Sequence, residues 1–168
     1  MAKIFISLGS NIEPESHLKA ALIDLGHHFD KLELSSVYES EAVGFDGTNF
    51  LNMVVAAETN MTIEQVVSCF KQIEQDHGRV KGAKKFAPRT LDIDLLLYDD
   101  VVSQQPIELP RAEILYNAFV LWPLAEIAPH LHHPVVKQSY QSLWHDYDKQ
   151  QQSLWPIEFD WSDETQSL

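Results

Sequence analysis

The sequence predicts an α+β fold: a ferredoxin-like antiparallel sheet with packed helices, in a three-layer α-β-α variant. Three observations predict it. Segments at strand period and segments at helical spacing follow one another in the order β-α-β-β-α-β. The chain has 168 residues and is 45% hydrophobic, which suits one domain with a sizeable core. No repeat, low-complexity linker or break in composition divides it. Residues 1–168 therefore read as a single domain, with 145–168 as an acidic C-terminal extension.

Each element has a local reason. Lys3–Leu8 (KIFISL) is a β-rich run closed by the turn residues Gly9-Ser10-Asn11. Pro14 suits a first helical turn, and Leu18, Ala21, Leu22, Leu25 and Phe29 recur at helical spacing. Leu32–Tyr38 alternates and reads as one strand. Glu39–Asn49 holds Gly44 and Gly47 and reads as a loop, and Phe50–Glu58 reads as a strand. Thr62–His77 is the second helix, with Ile63, Val66, Val67, Phe70 and Ile73 as its stripe and Gly78 at its end. Arg79–Thr90 is a long loop, Leu91–Tyr98 a strand, and Asn117–Ile127 an apolar, partly helical run despite Pro123. The stretch from His145 to Leu168 has six acids, one Lys, and Trp155, Phe159 and Trp161; packing of both indoles on the core is expected.

Charge and composition exclude several functions. The net charge is −13, from 25 acids against 12 bases, so the broad basic face of a general nucleic-acid binder is missing. The hydrophobic content excludes a disordered chain, and the single Cys69 excludes an internal disulfide. No apolar run reaches the roughly 18 residues of a membrane span. A cytoplasmic setting is the expectation. The bases are unevenly spread: Lys71, Arg79, Lys81, Lys84, Lys85 and Arg89 are half of them. They fall just before Asp92 and Asp94, an arrangement suited to a small polyanion.

Asp92-Ile93-Asp94 lies inside an apolar strand, so both carboxylates face one way while Leu91, Ile93 and Leu95 face the other. Like charges so placed repel unless a cation joins them. Their hard oxygens suit Mg²⁺, which keeps waters and bridges to phosphates. An edge strand with two solvated acids is the plain alternative. The loop GRVKGAKKFAPRT could close on a triphosphate through forked Arg and mobile Lys contacts, with Phe86 offering a ring face. A solvated charge run is its alternative. Phe50 and Asn52 share a strand face and could stack on and pair with a flat heterocycle; a core aromatic and a turn-proximal Asn would look the same. Glu74 falls at the edge of the second helix's stripe, where a carboxylate is paired or functional. The histidines of His27-His28 and of His130–His133 read as surface residues, and Cys69 as a core thiol.

The ordered set SLGSN, SSVYES, GTNFLN, IEQDHGR, APRTLDIDLLLYDD and FVLWPLAEIAP resembles the 6-hydroxymethyl-7,8-dihydropterin pyrophosphokinases of folate biosynthesis, from about Ile4 to about Pro134. The resemblance implies ATP-dependent, Mg²⁺-dependent transfer of pyrophosphate to the pterin hydroxymethyl group, with AMP released. It implies Asp92 and Asp94 as ligands of two Mg²⁺, and Arg79 and Arg89 as catalytic partners of the phosphates. Glu74, Lys71, Lys81, Phe86 and Arg111 fall on the ATP side. Ser40, Val43, Phe50, Asn52 and Phe119 fall on the pterin side. The chain departs from the family pattern at Arg111, Asn117 and Phe86, where the family has His, Arg and often Trp. The partners implied are ATP and the pterin, with no nucleic acid and no membrane, acting on a monomer. A divergent paralogue that binds pterin or nucleotide with weak turnover is the alternative function, and an interaction module with solvated charges is a third.

Overall fold

Alternate apolar residues on the long strands give the sheet two faces to bury, and the computed structural model of the protein covers both with helices. The structure describes residues 1–41, 49–78, 91–150 and 152–161. The elements are β1 (Ala2–Ser10), α1 (Pro14–His28), β2 (Asp30–Leu34), β3 (Val37–Ser40), β4 (Phe50–Thr59), α2 (Ile63–Asp76) and β5 (Asp92–Tyr98), then α3 (Ala118–Ile127), α4 (Tyr140–Asp146) and β6 (Leu154–Ile157). A 3-10 turn, Ala112–Leu115, precedes α3. The sheet runs β5-β1-β4-β3-β6, with β2 also on β4, and each pairing is antiparallel.

On one face, Ile4, Ile6 and Leu8 of β1 and Leu51, Met53 and Val55 of β4 pack against α1 and α2 through Leu18, Leu25, Val66 and Phe70. On the other, Phe5, Val54, Ala56, Leu96 and Leu97 meet Val120, Leu121 and Leu124 of α3 and Tyr140 of α4. This is the expected α-β-α layering. Each such fully buried side chain contributes about 1.5–3 kcal/mol. Helix α2 starts at Thr62 because a capping box closes there: Gln65 N–H donates to Thr62 Oγ1 at 3.2 Å and Thr62 N–H to Gln65 Oε1 at 2.9 Å. It stops at Gly78, whose φ of 87° suits glycine. Helix α3 runs through Pro123 despite the lost N–H, held by the apolar residues it buries.

Three expectations are corrected, and the C-terminal stretch adds a strand. The single strand over Leu32–Tyr38 is two strands, β2 and β3, parted at Ser35-Ser36. There the Ser35 N–H donates to the Val54 carbonyl and the Val54 N–H donates to Ser35 Oγ, both at 2.9 Å, so a hydroxyl replaces a ladder carbonyl. His133 is buried, not a surface residue, and its Nδ1 accepts from the Val135 and Val136 N–H groups. The acidic C-terminal stretch supplies a strand, β6, on the outer side of β3. Trp155 and Trp161 stay exposed, while Phe159 packs against the core. Among the described residues no helix is long and apolar enough to cross a membrane.

Candidate active site

Strand register builds the site. Asp92 of β5 lies opposite Gly9 of β1, and Gly9 opposite Asn52 of β4; Asn52 in turn lies opposite Tyr38 of β3. Asp94, Ser7 and Val54 form the next row. Residues directly opposite share a face, so Asp92, Asp94 and Asn52 all point to the side that α3 covers. Ile93 and Leu95 point into the α1/α2 core.

Gly9 lies in the middle of this row, within β1 and not in the turn expected for it. A Cβ there would stand 2.9 Å from Asn52 Oδ1. Glycine therefore lets the Asn52 amide lean over β1 towards the carboxylates. Asn52 is buried and its Nδ2 donates to Ser40 Oγ at 2.9 Å, which ties two expected pterin-side residues together. Phe50, half-buried, shares the Asn52 face, and Phe119, half-buried, comes from the first turn of α3 on the same side of the sheet. Two rings and an amide on one side suit a flat heterocycle.

Asp92 and Asp94 are half-buried at the start of β5. Arg111 reaches Asp94: its Nη2 is 3.4 Å from Asp94 Oδ1 and 3.0 Å from Glu113 Oε1. Burial opposes the guanidinium charge, yet Asp94 and Glu113 outweigh it and hold the Arg111 pKa above its ordinary value. A β-bulge places this arginine. The register shift between Phe5 and Ile6 leaves Leu96 as an extra residue on β5, and the Leu96 carbonyl accepts from the Arg111 N–H at 3.0 Å. The same bulge turns both Leu96 and Leu97 into the α3 face.

Glu74, expected near the nucleotide, is buried on α2 and its Oε2 accepts from the N–H of Ile93 at 2.9 Å. Ile93 is the residue between the two aspartates, so Glu74 fixes the backbone that carries them. Lys71 is exposed on α2. Val43, Arg79, Lys81, Phe86 and Arg89 lie outside the described residues. Among the described residues no three His, Cys, Asp or Glu side chains converge as a metal cage. The Asp92/Asp94 pair nonetheless fits Mg²⁺, which takes one or two carboxylates and completes its shell with water and phosphate oxygens.

Gly9 and Glu113 are the residues that reading the sequence passed over. A glycine between β-forming residues signals a close approach; Glu113 gave no such signal. A cleft of about 470 Å³ lined by Lys3, Phe5, Leu97, Asp99 and Leu131, among others, lies at the other end of the β1/β5 pair.

Fold and site together define a class: three-layer α-β-α domains with an aspartate pair and a buried amide on one face of an antiparallel sheet. The comparisons with known proteins narrow it. The chain belongs to the 7,8-dihydro-6-hydroxymethylpterin-pyrophosphokinase (HPPK) family, whose model matches residues 5–129. It is 35% identical over 141 residues to the 2-amino-4-hydroxy-6-hydroxymethyldihydropteridine pyrophosphokinase of Aquifex aeolicus, covering 82% of this chain and 88% of that one. It is 35% identical over 138 residues to the protein of the same name from Pseudomonas aeruginosa, covering 79% and 84%. Among solved structures, the wild-type Plasmodium falciparum HPPK-DHPS with SDX-DHP is similar, with a TM-score of 0.67 at 13% identity. An HPPK-DHPS in complex with substrates gives 0.71 at 12%. The chain spans less than half of these two solved chains, 44% and 43%, and at such identity the likeness concerns the fold.

Proposed function

We propose that this chain transfers the β,γ-pyrophosphate of ATP to the hydroxymethyl group of 6-hydroxymethyl-7,8-dihydropterin. The hydroxymethyl oxygen attacks the β-phosphorus and gives up its proton to solvent, the bond from that phosphorus to the α-phosphate bridging oxygen breaks, and AMP leaves. The observation that carries the reading is the row Asp92–Gly9–Asn52. It sets two carboxylates of β5 and a buried amide of β4 on one face, either side of β1, in a chain of this family, which supports phosphate handling by the first and heterocycle binding by the second.

In this reading Asn52 hydrogen-bonds the edge of the pterin, oriented by Ser40, while Phe50 and Phe119 stack on its faces and Val43 lines the pocket. Asp92 and Asp94 hold two Mg²⁺. Bound there, the ions would neutralise the triphosphate and stabilise charge that develops on the transferred group. Arg79, Arg89 and Arg111 offer forked donors to phosphate oxygens, with Lys71 and Lys81 as point charges and Phe86 as a ring face. Holding both substrates in line supplies much of the rate. The setting we infer is cytoplasmic, with the protein a monomer.

The test is to incubate the protein with ATP, Mg²⁺ and the hydroxymethyl pterin and to follow AMP. Stoichiometric AMP and pterin pyrophosphate are expected, with loss of both on Asp92→Ala or Asp94→Ala and on removing Mg²⁺. Absence of AMP where a family enzyme turns over under the same conditions refutes the reading.

A further inference from the structure

A chain of side chains leads from the C-terminal segment to the carboxylate pair. Gln152 Oε1 accepts from the N–H of Ala118 at 2.7 Å, and Gln152 Nε2 donates to Asn117 Oδ1 at 3.1 Å. Asn117 Nδ2 donates to Glu113 Oε2 at 3.3 Å. The other oxygen of Glu113 accepts from Arg111 Nε at 3.1 Å and lies 3.0 Å from Arg111 Nη2. Arg111 then reaches Asp94. We propose that Glu113, Asn117 and Gln152 are positioning residues that hold the Arg111 guanidinium beside Asp94. The segment carrying Gln152, which lies outside the 5–129 family match, thereby becomes part of the nucleotide site. The inference rests on the ATP reading given above.

Three features support a positioning role. Asn117 is the N-cap residue of α3, where an asparagine ordinarily caps its own helix, yet it makes no such bond. Its amide is turned to Glu113 and Gln152 instead, and Gln152 satisfies the first N–H of the helix in its place. Glu113 spends its two oxygens on two different partners, so it cannot follow Arg111 without leaving Asn117. An arginine gripped at Nε keeps its remaining N–H donors in a fixed plane. That plane lies beside Asp94, where the phosphates of a metal-bound nucleotide would arrive. Without the grip, the guanidinium would be free to swing away from Asp94 and from the side on which the phosphates would arrive.

The experiment measures binding of α,β-methylene-ATP with Mg²⁺ by calorimetry to the full chain, and steady-state kinetics alongside. Arg111→Met should weaken binding about 10-fold or more, the scale of one charge-assisted contact. Asn117→Ala and Gln152→Ala should each weaken it by a few-fold, roughly 3- to 10-fold. The KM for ATP should rise with them while the KM for the pterin stays put. In an Arg111→Met background, Asn117→Ala and Gln152→Ala should have no further effect on nucleotide affinity. A merely structural role would instead lower the thermal midpoint and weaken both substrates together, with or without Arg111, and that outcome overturns the proposal. Wild-type affinity in Asn117→Ala and Gln152→Ala overturns it as well, with the ATP reading left standing. If the wild-type protein binds no analogue, the ATP reading itself has failed, and this inference falls with it.

Discussion

Adding one methyl group at Gly9 should disable the amide that faces the carboxylates. The Cβ of Gly9→Ala would stand 2.9 Å from Asn52 Oδ1, about half an ångström inside ordinary carbon–oxygen contact. Gly9 and Asn52 are both buried, and the Asn52 amide is already bound to Ser40 Oγ at 2.9 Å. The amide therefore has to rotate or withdraw, stretching that bond. Overpacking of this kind costs about 1–3 kcal/mol, and each kcal/mol moves the midpoint of a domain this size by roughly 2–4 °C. The expected fall is thus on the order of 2–12 °C. With α,β-methylene-ATP present, pterin affinity should drop about 10-fold or more, since a misaimed buried amide forfeits its hydrogen bonds. Calorimetry and thermal denaturation read both effects. The discriminating measurement is a double-mutant cycle. In an Asn52→Ala background the added methyl meets no amide, so Gly9→Ala should there be close to neutral in stability. An equal penalty in both backgrounds would show that the clash lies elsewhere and would sink the argument.

Two further outcomes follow from the contacts. Glu126 of α3 accepts from the Ser36 N–H at 3.0 Å, the Ser36 hydroxyl at 2.7 Å and the Tyr38 hydroxyl at 2.7 Å; Glu126→Ala should cost about 2–4 kcal/mol in urea denaturation, and a loss below about 0.5 kcal/mol would contradict it. Burial first, then nearby His77, with Glu13 opposing, holds the His17 pKa below 6.5, and burial does the same for His133. The unfolded chain therefore takes up protons before the folded one, so their contribution to stability is complete above pH 6.5 and declines as pH falls from there towards the folded pKa values. Thermal midpoints between pH 7.5 and 5.5 should fall, and fall less steeply in His17→Gln; an identical slope would count against the assignment.

The part of the site that could be read from sequence is the part encoded within single strands. Asp92 and Asp94 stand out because apolar residues separate and flank them, and Phe50 and Asn52 follow from the same two-residue period. What lies between strands was hidden. The position of Gly9 beneath Asn52 depends on a register that only the folded sheet sets. The link from Gln152 to Glu113 joins residues far apart in the chain. Local chemistry also misled. Ser35 Oγ accepts from the Val54 ladder N–H, so two strands alternate like one. Pro156 can stand in β6 because that strand ends the sheet, where a missing N–H is tolerated. The order β-α-β-β-α-β falls one strand short of the structure up to β5, at the β2/β3 break, and the rest was legible because α2 carries a strong amphipathic stripe and β4 is a long apolar run.

The pairing of β6 with β3 joins the late part of the chain to its early part. During synthesis, β3 is made long before its outer neighbour, and at about 5–20 residues per second the wait is on the order of ten seconds. Throughout it, one side of β3 presents unpaired amides and carbonyls, the kind of template on which another nascent chain can dock. The strand left waiting carries Ser40 and Tyr38, so the heterocycle side of the face is finished last. Cutting the chain before Leu154 would therefore make that exposed state permanent, and such a product should be recovered as aggregate sooner than as a weak enzyme.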